Sequence, residues 1–273
     1  MNAAFAPSNQ AIAAQLGTTI RRDVLGGLPV VRILPRGGVS GGRALVYIHG
    51  GAYIYFSAET LVGLPALIAE ATSAEVISVD YTLAPRGRWQ TVTDEVLTVW
   101  KALISEGYET GSLGLFGDSA GGGLTAGSVL KMRDQNLPLP AALWLVSPWS
   151  DISGAGDTYE TLGAVDPILT LDVLSWGAQA YADPADQRHP YVSPIYGDYA
   201  RPFPPTLIQG GTREMFLSNF VRHYQAIRAG GHEAVLDLYE GLPHVFQSVA
   251  PEAPESRTAI ARAAAFFAEH LHR

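Results

Sequence analysis

Short runs of branched apolar residues alternate with longer amphipathic stretches along this 273-residue chain. Several of the runs are apolar almost throughout, which is typical of strands buried on both faces of a sheet. The alternation predicts one α/β domain, residues 1–273, with helices on both faces of a mostly parallel sheet. Strands are predicted at 29–34, 44–48, 76–79, 113–116, 141–146, 206–209 and 235–239. Helices are predicted at about 58–73, 92–106, 120–136, 214–230 and 255–271.

Residues 150–204 break this alternation. They contain no convincing core strand and one apolar helix, at 171–182, between segments rich in Asp, Gly and Pro. Because a strand precedes this stretch and another follows it, we interpret it as an insertion over the top of the sheet. Long loops in compact domains are usually functional, so a lid is favoured over an excursion that only shields the sheet.

Charge and composition argue against several kinds of partner and site. The net charge of −8 disfavours nucleic acid and anionic membranes as partners. Because the chain has no cysteine, disulfides, thiolate metal sites and a cysteine nucleophile are excluded. The scattered histidines and the absence of a His-Glu-x-x-His motif predict no metal site.

The chain also shows no signal for export or for membrane insertion. Its first residues lack the basic region of a signal peptide. No segment approaches the roughly 20 apolar residues that span a bilayer. We therefore expect a cytoplasmic protein without a membrane span.

A serine flanked by glycines follows the predicted strand 113–116. The pentapeptide G-D-S-A-G at 117–121 then leads into a predicted helix, which is the strand-turn-helix context of a nucleophile elbow. Glycine suits the flanking positions, because larger side chains would clash in so tight a turn. A glycine-rich loop opening a helix could instead bind phosphate, but neither phosphate-loop motif is present. The pattern therefore favours Ser119 as the nucleophile of a serine hydrolase.

A second glycine loop, H-G-G-A at 49–52, follows the predicted strand 44–48. Ester cleavage builds negative charge on the carbonyl oxygen, and preorganised N–H groups stabilise that charge. The backbone N–H groups of Gly50, Gly51 and Ala120 are predicted as the donors. The alternative is an ordinary turn after a strand. His49 is expected to brace the loop rather than to act as a base.

Three motifs together resemble the hormone-sensitive-lipase-like family of α/β-hydrolases: HGGAY at 49–53, DYTLAP at 80–85 and GDSAGGG at 117–123. The resemblance runs from about residue 28 to the end of the chain. It implies the α/β-hydrolase fold with an eight-stranded sheet, a small helical cap, no cofactor, and carboxylesterase activity. It also implies a catalytic triad in the chain order serine, acid, histidine. The cap is expected to consist of about residues 1–25 and the insertion 150–204.

The triad base must follow the nucleophile in this order. His244 lies just beyond the predicted strand 235–239, at the end of the strand where α/β sheets place their chemistry. It also matches the family pattern G-x-x-H-x-F through Gly241 and Phe246. We therefore predict His244 as the base, in preference to the other histidines that follow Ser119, which are His189, His223, His232, His270 and His272.

The triad acid is assigned through the resemblance. The sequence G-T-R-E at 211–214 matches a sub-branch that carries glutamate where most members carry aspartate. Glu214 would accept the Nδ1–H bond of His244 and so fix its tautomer. The alternative is a glutamate that only complements a helix N-terminus. Asp118 is not expected to orient His244, because its side chain points away in the elbow and is expected to bond nearby backbone.

Several large side chains near these motifs are candidates to line a substrate pocket, with core packing as the alternative: Tyr53, Phe56, Trp149, Trp176, Tyr181, Phe216 and Val245. Two features depart from the family. Arg86 stands where a glutamate is usual, with no clear consequence. The stretch before His49 is short, which implies a missing cap helix and a more open site that admits bulky esters.

The expected function is hydrolysis of short- to medium-chain or bulky small-molecule esters. Lactones, amides and xenobiotic esters are alternatives on the same triad. A receptor of the same fold that only binds its ligand is a further alternative, disfavoured because Ser119, Glu214 and His244 are all retained. A homodimer could form through an exposed edge strand at 235–239.

Overall fold

The computed structural model describes residues 2–272, with side chains from residue 6 onward. Met1 and Arg273, the ends of the predicted domain, lie outside the described residues. The strands are β1 Thr19–Leu25, β2 Leu28–Leu34, β3 Ala44–Ile48, β4 Glu75–Val79, β5 Leu113–Asp118, β6 Ala142–Val146, β7 Thr206–Gly211 and β8 Ala234–Tyr239. They form one sheet in the order β1-β2-β4-β3-β5-β6-β7-β8. Only β2 runs antiparallel to its neighbours, so the mostly parallel sheet of an α/β-hydrolase fold is confirmed.

Helices connect the parallel strands. They are α1 Asn2–Leu16, α2 Gly63–Thr72, α3 Trp89–Ser105, α4 Ala120–Asp134, α5 Thr158–Thr161, α6 Leu171–Tyr181, α7 Leu217–Ala229, α8 Phe246–Val249 and α9 Pro254–His270. Within the described part of the chain, none of these helices is both long and apolar enough to cross a membrane.

The first strand was not predicted. Residues 19–25 pair with β2 along their whole length as an edge strand, and six of the seven are exposed. Because one edge and much of the surface face water, the strand has a polar sequence without a continuous apolar run. Gly26 and Gly27, with φ of 59° and 86°, form the hairpin turn, and this glycine pair was the available signal. Residues 19–25 therefore belong to the sheet rather than to the cap.

Both faces of the sheet are buried, as the apolar strands predict. On β3, Leu45 and Tyr47 pack into the cluster that includes α2 and α9, whereas Val46 and Ile48 pack into the cluster that includes α3, α4 and α7. The helix α1 joins the first cluster through Ala13. Loops at the carboxyl ends of the parallel strands thus come together along one edge.

The insertion 150–204 is anchored to α7 by a buried chain of hydrogen bonds. The Tyr199 hydroxyl donates to the Pro194 carbonyl at 2.8 Å and lies 2.7 Å from Nε2 of His223. Since the tyrosine proton goes to the carbonyl, Nε2 carries the histidine proton, and Nδ1 accepts from Ser150 Oγ at 2.8 Å. Burial lowers the pKa of His223 to about 3, so the ring is neutral at pH 7. The insertion is therefore held at both its start and its end.

Candidate active site

Ser119 lies in a strained turn between β5 and α4. Its φ of 55° and ψ of −124° lie in a region that residues other than glycine rarely adopt. A Cβ on Gly121 would lie 2.0 Å from the carbonyl oxygen of Ile48, and one on Gly117 would lie 2.4 Å from the carbonyl oxygen of Gly121. Only glycine fits at these two positions, so the turn has the steric requirement of a nucleophile elbow.

Asp118 connects this elbow to the glycine loop after β3. One oxygen of its carboxylate, Oδ1, accepts hydrogen bonds from the Tyr47 hydroxyl and, at 2.9 Å, from the Gly50 N–H. Burial raises the pKa of Asp118, so the two donors are needed to support the charged form. The side chain thus bonds nearby backbone, as its sequence position suggests, and contributes to the shape of the loop.

The loop 49–53, called the oxyanion loop below, requires a correction to the predicted donors. The Gly50 N–H is already occupied by Asp118, so it is not free to stabilise an oxyanion. The N–H groups of Gly51 and Ala52, in contrast, donate to no protein acceptor within residues 2–272. Ala120 opens α4, where the first N–H groups have no partner in the helix. Ala52 therefore replaces Gly50 in the candidate set of Gly51, Ala52 and Ala120.

His49 is fully buried behind the oxyanion loop. Its ring stacks on Tyr81 with centroids 4.2 Å apart, and its Nδ1 lies 2.8 Å from the Gly50 carbonyl oxygen. A carbonyl only accepts, so Nδ1 carries the proton. Burial lowers the pKa of His49 to about 4, which leaves the ring neutral at pH 7. Its contacts fit the predicted bracing role.

His244 and Glu214 are in direct contact. Nδ1 of His244 lies 2.7 Å from Oε2 of Glu214, and both side chains are buried. Because a carboxylate only accepts, this bond places a proton on Nδ1 and leaves the Nε2 lone pair of a neutral ring available as a base. The other oxygen, Oε1, accepts from the Gly211 N–H and, at 2.8 Å, from the Ser147 hydroxyl. Glu214 lies in the turn before α7 rather than inside the predicted helix 214–230.

Ser147 was missed by the sequence analysis. It follows β6 directly, has a φ of 45°, and bridges the loops that carry Glu214 and His244. Its oxygen accepts the Val245 N–H at 3.0 Å while its hydroxyl donates to Glu214. The only available signal was its place at the carboxyl end of a central strand, where the chemistry of such sheets collects.

The other candidate bases lie elsewhere. His189 stacks on Trp89 at 4.6 Å, and Nε2 of His232 contacts the Arg201 carbonyl at 2.8 Å. His223 is held in the buried chain described above. His270 lies near the end of α9 and contacts Glu233, and the His272 N–H bonds the Gly111 carbonyl. Within residues 2–272, none of these five contacts Glu214, whereas His244 does.

Aromatic rings form a continuous wall beside these groups. Phe216 packs edge-on against His244 at 5.3 Å and stacks on Trp149 at 5.6 Å. Trp149 in turn lies 5.7 Å from Tyr53, which stacks on Tyr181 of α6. The backbone N–H of Trp149 donates to the Ser119 carbonyl at 2.8 Å, which ties the wall to the elbow.

The remaining candidates for a pocket differ in position. Val245 follows His244 and is 8% exposed, and Phe56 is partly buried. Trp176 is 59% exposed on the outer side of α6, where Ser175 and Gln179 are also exposed, and it is not part of the wall. A cavity of about 310 Å³ lies between Trp149 and α6. Among the described residues, no group of three or more acidic or histidine side chains could hold a metal ion.

Comparisons with known proteins agree with the fold described above. A family described as having an alpha/beta hydrolase fold matches residues 45–248. LipR of Mycobacterium tuberculosis, whose name gives acetyl-hydrolase as a provisional activity, is 33% identical over 95% of this chain and 83% of its own length. An acetyl-hydrolase of Streptomyces hygroscopicus is 32% identical over 82% of this chain and 75% of its own. The crystal structure of an esterase from the bacterial hormone-sensitive lipase family superposes with a TM-score of 0.88, at 30% identity over 97% of this chain and 91% of that one.

Proposed function

The chain belongs to the hormone-sensitive-lipase-like family of α/β-hydrolases and is a carboxylic-ester hydrolase, and we propose that Ser119, His244 and Glu214 are its catalytic triad. The observation that carries the proposal is the 2.7 Å contact between His244 Nδ1 and the buried Glu214. This contact fixes the tautomer whose Nε2 can take a proton, and such a base is what a serine nucleophile requires.

In the proposed first step, Ser119 Oγ attacks the ester carbonyl while His244 Nε2 takes its proton. The carbonyl oxygen becomes an oxyanion and accepts hydrogen bonds from the N–H groups of Gly51, Ala52 and Ala120. These donors are held in place before the reaction, so no reorganisation is needed as the charge develops. When the C–O bond to the alcohol breaks, His244 returns the proton to the leaving oxygen.

In the second step, water attacks the acyl-enzyme. His244 Nε2 accepts a proton from the water, and the same donors stabilise the second oxyanion. Ser119 then leaves with the proton from His244, and the carboxylic acid is released. Glu214 remains ionised throughout and stabilises the imidazolium formed in each step.

The substrates proposed are small esters with short- to medium-chain acyl groups. Two relatives carry acetyl-hydrolase in their names, and Phe216 packs between His244 and Trp149, whose side chain lines a cavity of about 310 Å³. Bulky esters are included, as are lactones, amides and xenobiotic esters as alternatives on the same triad. A receptor that only binds is disfavoured, because Ser119, Glu214 and His244 are all retained and His244 contacts Glu214.

Hydrolysis of p-nitrophenyl acetate, butyrate and octanoate by the wild type and by Ser119→Ala tests the proposal. We expect the wild type to hydrolyse the shorter esters and Ser119→Ala to lose at least 10³-fold in kcat, as expected when a nucleophile is removed. Equal rates would reject it. A fluorophosphonate label located by mass spectrometry should modify Ser119, and modification elsewhere would also reject it.

Two further expectations stay predictions. β8 is an edge strand of the sheet with Val235 and Leu238 partly exposed, so its free backbone groups could pair with a second copy in a homodimer. Light scattering on the purified protein would test this. A cytoplasmic location likewise rests on the sequence, and fractionation of the source cells would test it.

A further inference from the structure

Helix α6 of the insertion touches the oxyanion loop at Gly177. A Cβ built on Gly177 would lie 2.5 Å from the carbonyl oxygen of Ala52 and 3.1 Å from its Cβ, and the first distance is too short for any real side chain. Glycine inside a helix costs about 0.5–1 kcal/mol relative to alanine. The close approach to Ala52 gives a physical reason for its presence here.

A second contact lies one turn further along the same helix. Tyr181 stacks on Tyr53 with ring centroids 3.7 Å apart and planes inclined by 3°. Both tyrosines are at most 1% exposed. Positions four apart in a helix share one side, so a single side of α6 rests on two consecutive loop residues.

Those two loop residues have an unusual backbone. The φ angles are 51° at Ala52 and 66° at Tyr53, a region that non-glycine residues occupy only when their surroundings hold them. Other parts of the loop are held by hydrogen bonds, since the Tyr81 hydroxyl donates to the His49 carbonyl and the Ala84 N–H to the Tyr53 carbonyl, both at 2.9 Å.

Ala52 itself takes part in no such bond. Within residues 2–272 its carbonyl accepts no hydrogen bond and its N–H donates none. Packing against Gly177 is therefore what limits the rotation of the peptide that follows Ala52. The peptide that carries the Ala52 N–H is held at its other end, where the Gly51 carbonyl accepts the N–H groups of Ile54 and Tyr55 at 3.0 and 2.9 Å. The contact of Gly177 with Ala52 therefore holds the loop from the side that these hydrogen bonds leave open.

We propose that Gly177 and Tyr181 are positioning residues, which clamp Ala52 and Tyr53 so that the N–H groups of Gly51 and Ala52 face the developing oxyanion. The proposal rests on the proposed function, in which those groups stabilise the transition state. The insertion then does more than cover the site. A movement of α6 away from the sheet releases the donor loop, so hydrolysis requires the insertion to be docked.

The substitution Gly177→Ala tests the clamp. In an open helix it would stabilise α6, because alanine is the better helix former. Here the added methyl group must displace Ala52. We expect kcat for p-nitrophenyl acetate to fall about 10- to 100-fold, somewhat less than the 10²- to 10³-fold loss of a whole oxyanion donor. KM should stay within twofold, and the inhibition constant of a trifluoromethyl ketone, which mimics the tetrahedral intermediate, should rise by the factor lost in kcat/KM.

Two variants complete the design. Asp172→Ala places alanine on an exposed part of α6 and should leave kcat unchanged. Tyr181→Leu removes the stack without adding a clash and should lower kcat in the same direction with a smaller factor, whereas Tyr181→Phe keeps the stack and should restore it. This pair decides the question if Gly177→Ala does not fold.

The outcomes separate the clamp from the function it serves. An active wild type with kcat unchanged in Gly177→Ala and Tyr181→Leu would overturn the clamp alone. A loss confined to KM, or one without weaker binding of the ketone, would overturn it as well. An inactive wild type would reject the proposed function and the clamp together.

Discussion

Replacing Glu214 with glutamine tests how the base is oriented. The carboxylate accepts three hydrogen bonds, from the Nδ1–H of His244, the Ser147 hydroxyl and the Gly211 N–H. Glutamine has the same shape but only one oxygen. If that oxygen accepts the hydrogen bonds from the Ser147 hydroxyl and the Gly211 N–H, the amide NH₂ faces His244 Nδ1. The ring must then carry its proton on Nε2, where it cannot take the proton of Ser119.

The size of the effect follows from these contacts. Turning the amide to restore the working tautomer sets its NH₂ against the Gly211 N–H, and a buried donor without an acceptor costs about 1–3 kcal/mol. The imidazolium also loses its charged partner, worth about 4 kcal/mol at 4 Å with an effective dielectric constant of about 20. The barrier should therefore rise by about 5–7 kcal/mol, which lowers kcat by roughly 10⁴- to 10⁵-fold.

The assay is steady-state hydrolysis of p-nitrophenyl acetate together with thermal unfolding. Glu75→Gln is the matched control, because Glu75 is also a largely buried glutamate, bonded to Tyr108 and Arg32 at the start of β4. It should keep wild-type kcat. A Glu214→Gln variant that folds normally and retains more than a tenth of the wild-type kcat would refute the assignment of Glu214 as the triad acid.

Three further predictions concern buried groups that support the loops and the insertion. Ser147→Ala leaves the Val245 N–H without its acceptor and should lower unfolding free energy by about 1–3 kcal/mol in urea titrations and kcat by about tenfold; an unchanged kcat would remove Ser147 from the catalytic support. His223 has its pKa lowered by burial to about 3, so between pH 3 and 6.5 only the unfolded state binds its proton and stability falls as pH falls. In His223→Gln, the slope of unfolding free energy against pH should be smaller by up to 1.4 kcal/mol per pH unit, the contribution of one bound proton. Equal slopes in the wild type and the variant would contradict this prediction. Asp118→Ala should lower both the melting temperature and kcat, because Tyr47 and Gly50 lose their acceptor, whereas Asp118→Asn keeps an acceptor oxygen and should lose much less of each; equal losses would contradict the bracing role.

Much of the fold could be predicted because its signals are local. The strands β3 to β7 are buried, and their apolar runs predict them to within a few residues. The helix α6 was predicted at 171–182 and spans Leu171–Tyr181. The strand β1 was not predicted, because an exposed edge strand needs no apolar run. The start of α7 was misplaced because Glu214 is fixed by contacts with distant loops, not by helix propensity.

The candidate site was also predictable in part, where its residues lie in motifs. Ser119 and His244 each follow a predicted strand within a recognisable motif, so both could be proposed from the sequence. Glu214 came from resemblance, and its contact with His244 now gives it a physical basis. Ser147 could not be found, because a serine after a strand has no motif and acquires its role only through the two loops that it joins.

The Gly50 N–H was predicted as an oxyanion donor from the motif, but it is occupied in the structure. A glycine pair indicates that a loop can turn its N–H groups inward, but it does not say which of them is free. That is decided by Asp118, which is 68 positions away and occupies the Gly50 N–H. It is decided also by Gly177, which lies against Ala52 from a separate insertion. The orientation of the donors is thus a property of tertiary contacts, and substitutions at Asp118 and Gly177 should alter catalysis although we assign neither residue a contact with the substrate.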